Sequence, residues 1–351
     1  MIDYLIVGNG IAGVCFAELA LQSKKSILVF DNGSQLSSRI AGGLYNPVVL
    51  KRFSEIWKAK EQVDLVESFY PVLEKKLGVI FDYKLPIYRK FASIEEQNNW
   101  FQAADKPSLS DFLNTNLYNL GFTNINASFG FGEVYKTGYL DIKAMVEAFS
   151  DYLKAKKLLI EETFDYSKVE FLANGLKYHT IEAKHIIFCE GFGLHANPYF
   201  NDLPLDGTKG ELLIIKAPEL KLQAIVKSNI FILPIGDDMY KVGATYNWED
   251  KTNLPTANGK KELLQNLEEL IACDYEVVAH FAGVRPTVKD RRPLVGTHYV
   301  HKQLHILNGL GTRGVMLGPF LAKQLFEYLE NESALDKEID INRFYKKRGL
   351  L

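Results

Sequence analysis

The stretch from Tyr4 to Asp31 constrains this chain most. A short apolar run, Tyr4-Leu5-Ile6-Val7, breaks at Gly8-Asn9-Gly10-Ile11-Ala12-Gly13, Val14 to Leu21 then reads as a buried helix, and a second run, Ser26 to Phe30, ends at Asp31. Strand, glycine turn, helix and strand within about 30 residues have the size of one βαβ unit, so the chain starts with a parallel sheet. Each glycine has its own task. Gly8 permits the tight turn, Gly10 lets the backbone approach a pyrophosphate, and Gly13 lets helix and strand pack closely. Ile11 and Ala12 open the helix, whose free N–H groups and partial positive charge favour phosphate. Asp31, with Asn32 beside it, stands roughly 20 residues beyond the first glycine, where a carboxylate accepts hydrogen bonds from ribose hydroxyls. The stretch reads as a dinucleotide-binding unit.

With 351 residues there is room for about two domains. Helical periodicity runs from Glu55 to Leu77, from Glu95 to Ala104, and from about Ile142 to Lys156 with Asp141 as N-cap. Alternation over Leu158 to Phe164, Lys168 to Leu172 and Leu176 to Ile181 then predicts antiparallel pairing, and His185 to Cys189 a buried strand ending near Gly191. Glu211 to Lys216, Ile225 to Leu233 and Met239 to Thr245 read as strands of a second, mostly antiparallel sheet, followed by a helix at about Lys260 to Ala272. At the end, a strand (Leu304 to Asn308), a turn (Gly309 to Gly314) and a long helix (Val315 to Glu330) repeat the grammar of the beginning.

A hydrophobic fraction of 47% with 24% charged residues is that of a globular chain, and a net charge of −2 supplies no global field to steer polyanions. Three scattered cysteines, Cys15, Cys189 and Cys273, form neither a disulfide framework nor a metal-ligand spacing. The opening Met1-Ile2-Asp3 lacks a basic leader, and no 18 apolar residues run together. The expectation is a cytoplasmic protein with no membrane partner. His298, His301 and His305 are expected to face solvent, with no metal site. No Gly-x-Ser-x-Gly, Walker loop or CxxC pair is present.

NAD and FAD share the opening unit, and two features favour FAD. After Asp31 comes a small-residue loop, Ser37-Ser38-Arg39-Ile40-Ala41-Gly42-Gly43-Leu44-Tyr45-Asn46-Pro47, where a simple NAD domain usually continues with another crossover helix. Ser38, Arg39, Gly42, Gly43 and Leu44 can lie close along a buried cofactor. The terminal turn, with Gly309, Gly311, Thr312, Arg313, Gly314 and Val315, offers a second helix N-terminus, suited to negative charge on a reduced flavin. The expected fold is α/β: a Rossmann-like FAD-binding domain assembled from residues 1–85, 140–205 and 280–351, plus a mostly antiparallel substrate domain from 86–139 and 206–279.

At these residues the chain resembles the FAD-dependent D-amino acid oxidase superfamily, especially glycine oxidase and the oxidase domain of the bifunctional tRNA wobble-uridine modification enzyme. Val7 to Gly13 resembles the first FAD turn, Ser38 to Leu44 the flavin loop, and Gly138-Tyr139-Leu140-Asp141 the strand-to-helix joint. Ile187-Phe188-Cys189-Glu190-Gly191 resembles the strand and glycine that return to FAD, and Lys241-Val242-Gly243-Ala244-Thr245 the GAT strand. Gly283-Val284-Arg285-Pro286 and Asp290 to Gly296 resemble the late signature.

The resemblance implies that Arg285 grips a substrate carboxylate, a task suited to two parallel hydrogen bonds from a guanidinium. It implies that Phe231 and Tyr246 face the substrate, although Phe231 replaces a tyrosine and so removes a hydroxyl that would help bind a carboxylate. Thr312-Arg313-Gly314-Val315 looks more like the tRNA-modifying oxidase than like glycine oxidase, and because Gly309 and Gly311 permit a tight turn before the helix that Val315 begins, the turn's N–H groups are expected to point toward the cofactor, with Arg313 near the flavin edge or the substrate mouth. The reaction implied is oxidation of a C–N bond of a small amine or amino acid, with hydride passing to noncovalent FAD and the imine hydrolysing. Cys273, before Gly283, is not placed for covalent attachment. The alternative is removal of a carboxymethyl group from a modified uridine amine in tRNA, which would want a basic surface, with Lys51, Arg52, Arg89, Lys90, Lys289, Arg291 and Arg292 as contributors.

Overall fold

In the computed structural model, which describes residues 1–118 and 122–350, the opening segment forms strand Ile2–Val7, helix Ile11–Gln22 and strand Ile27–Phe30. The two strands pair in parallel with Leu5 opposite Leu28, and Ile181–Phe188 lies parallel on the other side, with Ile186 opposite Leu5. Leu304–Asn308 continues the parallel layer by placing His305 opposite Ile187. The carboxyl ends of these strands face one edge, and both glycine turns emerge there. A hairpin, Val169–Leu172 with Gly175–Tyr178, pairs antiparallel with the beginning of Ile181–Phe188, so this eight-stranded sheet is mixed.

Only two residues of the expected strand Leu158 to Phe164 pair, and they do so in parallel: Leu159 opposite Val29 and Ile160 opposite Phe30. The reason lies in the preceding helix, Ile142–Ala155, which acts as the crossover of a second βαβ unit. Its start is fixed by the Asp141 side chain accepting from the Ala144 N–H at 3.2 Å, and its buried residues Ile142, Met145, Val146, Phe149 and Leu153 form one stripe. That stripe, helix Ala59–Leu77 and the terminal helix Gly314–Asn331 share a core with the first helix. The Tyr70 hydroxyl, fully buried, donates to the Val315 carbonyl at 2.7 Å and pins the start of the terminal helix.

A second sheet of seven strands has the order 276–288, 205–216, 239–243, 231–234, 225–227, 87–90, 131–134. All neighbours are antiparallel except Ile225–Lys227 with Ile87–Lys90. The single strand expected from Ile225 to Leu233 is instead a hairpin, because Ser228-Asn229 supplies turn chemistry, with Arg89 Nη1 donating to the Ser228 carbonyl at 2.8 Å. The expected helix near Lys260 starts earlier, at Ala257, because the Thr256 side chain caps it by accepting from the Gly259 N–H.

Two histidines depart from expectation. His298 is 6% and His305 1% exposed. His305 lies between Thr297 Oγ1 at 2.8 Å and His185 Nδ1 at 2.9 Å, while His298 accepts from the N–H groups of Val300 and His301. Internal hydrogen bonds thus meet the cost of burying these rings. Among the described residues no group of three His, Cys, Asp or Glu is placed to hold a metal, and no helix is long and apolar enough to cross a membrane.

Candidate active site

The first glycine turn is built by close approach. Gly8 has φ +102°, and a Cβ there would stand 2.5 Å from the Cys189 carbonyl oxygen; a Cβ on Gly13 would stand 1.9 Å from that of Gly8. Gly10 differs, since its Cβ would meet only Ser38, with Oγ at 3.1 Å, and its front is open. It opens on a narrow cavity of about 60 Å³ that Ala12, Asp31, Ser38 and Arg39 also line. Burial pushes the Asp31 carboxyl up, opposed by the Asn9 backbone N–H and by Arg39, whose Nη2 is 3.9 Å away. The Asn9 amide donates to Ser150 Oγ at 2.8 Å, but its buried Oδ1 has no partner in the protein. A glycine-walled cleft, a carboxylate at ribose height and an orphaned acceptor suit the dinucleotide part of FAD.

Gly191 lines the same cavity, and its carbonyl accepts from Asn308 Nδ2 at 2.9 Å. Asn32, expected at the cofactor, is outside this lining: its amide donates to Thr163 Oγ1 at 3.1 Å and its oxygen accepts from the Ser34 N–H, which closes the local turn. Glu190, quoted in the sequence only as part of the strand that ends at Gly191, was not singled out there. It accepts hydrogen bonds from Tyr166 and Asn197, and burial pushes its carboxyl up to about 7.

Ile11, Ser38, Pro286 and Leu310 are shared with a second cavity of about 400 Å³. Gly42, Gly43 and Leu44 form one wall and Gly311, Thr312, Arg313, Gly314 and Val315 another. Gly43 has φ +74° and its carbonyl accepts from the Leu140 N–H at 3.0 Å, so the small-residue loop is clamped to the strand-to-helix joint. The terminal helix has no side-chain cap and no acid in its first turn, which leaves its positive end to this cavity.

The second sheet supplies the floor. Arg285, Phe231 and Tyr246 line the cavity, and so do Gly210, Leu212 and Lys227, which the sequence did not single out. A Cβ on Gly210 would be 1.9 Å from Arg285 Nη2, so the guanidinium lies flat over a bare strand. It donates to the Thr245 carbonyl at 3.3 Å and stacks 4.6 Å from the Tyr246 ring. Phe231 presses its ring on the small-residue loop, with Cζ 2.6 Å from where a Gly42 Cβ would be. Arg313 donates to the Asn46 carbonyl at 3.4 Å, and burial lowers the pKa of both arginines. Gly210 and Lys227 could have been found only by pairing the strands in register, which periodicity alone does not provide.

A third, outer cavity of about 900 Å³ shares Tyr246, Leu310, Gly311, Thr312 and Arg313 with the second and also reaches Gly309. Arg52, Lys58, Arg291, Arg292 and Trp57 line it, with Arg291 4.9 Å from the Trp248 ring. Of the basic residues singled out in the sequence, Arg52, Arg291 and Arg292 are here and Lys51 lines the second cavity. Arg89 is tied to Glu96 at 2.7 Å, while Lys90 and Lys289 are in neither lining.

A family model described as FAD dependent oxidoreductase (DAO) matches residues 3–328. Glycine oxidase of Bacillus subtilis (strain 168) is 22% identical over 236 residues, 62% of this chain and 63% of its own. The tRNA 5-methylaminomethyl-2-thiouridine biosynthesis bifunctional protein of Haemophilus ducreyi is 21% identical over 388 residues, covering 94% of this chain and 56% of its own. The chain thus spans less than two thirds of the length of these relatives. In fold it is similar to glycine oxidase from Geobacillus kaustophilus (TM-score 0.79, 20% identity, 95% and 96% of the two chains) and to L-α-glycerophosphate oxidase from Mycoplasma pneumoniae with FAD bound (0.73, 16%, 93% and 94%). Since the family model spans nearly the whole chain, and the glycine turn and Asp31 suit the cofactor, this protein belongs to the DAO family of FAD-dependent oxidoreductase enzymes.

Proposed function

We propose that the enzyme oxidises the C–N bond of an amine that carries a carboxylate. One observation supports this above others: Arg285 reaches the floor of the second cavity without an acidic partner, and its fork suits two carboxylate oxygens. Bound FAD, held without a covalent link, supplies the two-electron acceptor. The chain's own residues do the rest. Arg285 fixes the carboxylate and thereby the adjacent C–N bond, Tyr246 backs the guanidinium where the second cavity meets the outer one, and Phe231 keeps the flavin loop in place. Among the described residues the second cavity has no Asp or Glu in its lining, so no carboxylate there takes the ammonium proton and the amine must arrive neutral. Loss of two electrons and two protons then gives an imine, and water adds to its carbon to release a carbonyl compound and an amine. The test is anaerobic mixing of the FAD-loaded enzyme with a panel of amino acids and N-substituted glycines, matched against the same amines without a carboxylate; bleaching by both sets alike would overturn the role of Arg285.

The outer cavity favours a second reading, in which the amine is borne by a wobble uridine of tRNA. Arg291 over Trp248 and Arg292 over Trp57 combine charge for phosphates with rings for unstacked bases. In this reading tRNA binding weakens steeply with salt, and the double substitution Arg291→Glu, Arg292→Glu lowers affinity at least tenfold and flattens the salt slope. Affinity unchanged by that substitution would exclude it.

A further inference from the structure

Among the described residues four cations line the second cavity, Lys51, Lys227, Arg285 and Arg313, and no acid does. Arg285 is assigned to one carboxylate, Arg313 belongs to the turn against the cofactor, and Lys51 is exposed. Lys227 is left over. Among the described residues its ammonium has one hydrogen-bond partner, the Asn229 carbonyl at 3.4 Å. Across the parallel pair stands Arg89, itself bonded to Glu96, and burial together with this like charge pushes the Lys227 pKa down to about 8. A half-buried cation without an anion costs free energy.

The sheet register places this cation. Leu212 pairs with Gly243, Gly243 with Phe231, and Phe231 with Lys227, so these residues form one transverse row and share a face. Gly210, two positions from Leu212, pairs with Gly283, and Arg285 lies two positions further on the same face. Four strand spacings across the sheet, and four residues along it from Phe281, which stands opposite Leu212, to Arg285, put the Lys227 and Arg285 backbones roughly 23 Å apart, and both side chains lean inward. The guanidinium lies over Gly210 on the neighbouring strand, and the ammonium is 6.0 Å from the Phe231 ring on its own neighbour. Between them the cavity is lined by Leu212 and Ala244, which carry no charge.

We infer that Lys227 is a specificity residue for a second acidic group, and that the substrate is an amine with a carboxylate toward each end, one on Arg285 and one on Lys227. The inference rests on the C–N oxidation proposed above and names its substrate class. Isothermal titration calorimetry of the FAD-loaded protein with glutarate and butyrate tests it without turnover. Glutarate is expected to bind at least tenfold tighter than butyrate, on the scale of one hydrogen bond to a charged group. Lys227→Met brings the ratio to within about twofold, and Lys227→Arg restores it. The dianion favours the protonated lysine, so the preference shrinks as pH rises above about 8 in the native protein and persists in Lys227→Arg. No preference in the native protein, or one that survives Lys227→Met with FAD content unchanged, overturns the assignment. Because neither ligand carries an amine, a preserved preference beside an amine panel that fails to bleach the flavin would count against C–N oxidation and not against the second anion site.

Discussion

Arg285 depends on what its neighbour lacks. The guanidinium occupies the volume that any side chain on Gly210 would fill, so position and charge can be perturbed separately. Arg285→Lys keeps the charge and loses the fork, and is expected to cost about 1 to 3 kcal/mol, read mainly as a raised KM with FAD still bound. Gly210→Ala keeps the arginine and displaces it, so it should raise KM in the same direction; a KM unchanged in both variants would make Arg285 a loop-closing residue. At this scale Arg285, Phe231 and Tyr246 were legible because they lie in or near short motifs. Lys227 was not, because its meaning comes from a row of four paired strands rather than from its neighbours in sequence.

Among the elements, the glycine turn separates folding from cofactor binding. Gly13→Ala would drive a methyl into the Gly8 carbonyl, and overpacking of this kind costs about 1 to 3 kcal/mol or more, seen as a lowered Tm even without cofactor. A Cβ at Gly10 would meet only Ser38 in the protein, so in Gly10→Leu the fold should survive while FAD is lost; full FAD content in this variant would contradict the placement of the pyrophosphate. Beside the turn, Glu190 gives a pH signature. Its folded pKa of about 7 exceeds the usual 4.5, so the unfolded chain gives up this proton first as pH rises. The contribution is fully present below about 4.5 and is lost as pH rises through about 7, an expected loss of about 1 to 3 kcal/mol by pH 8. Denaturant unfolding of the cofactor-free protein at pH 5 and pH 8 should show a smaller loss for Glu190→Gln than for the native chain, and equal losses would refute the carboxyl's burial as the cause. The sequence revealed the opening unit and the terminal strand and helix, where apolar runs and glycines coincide. It missed the hairpin around Ser228-Asn229 and the buried histidines, because both are decided by partners distant in the chain.

For the whole molecule, function follows from two sheets meeting over one cavity. The parallel layer brings the glycine turns to its edge, and the second sheet lays a floor of glycines and cations against them, so the residues lining the cavity come from segments far apart in sequence. The two-layer plan was legible from the change in alternation along the chain. The charge balance of the cavity was not, since a net charge of −2 for the chain conceals a lining with four cations and no acid. The most direct measurement is rapid anaerobic mixing of the FAD-loaded enzyme with carboxylate-bearing amines, free or carried on tRNA, while the flavin absorbance is followed. The enzyme is expected to bleach with a rate that saturates in amine concentration, and Arg285→Lys to shift that saturation to higher concentration. A flavin that every such amine leaves oxidised, while dithionite reduces it, would contradict C–N oxidation as the activity of this site.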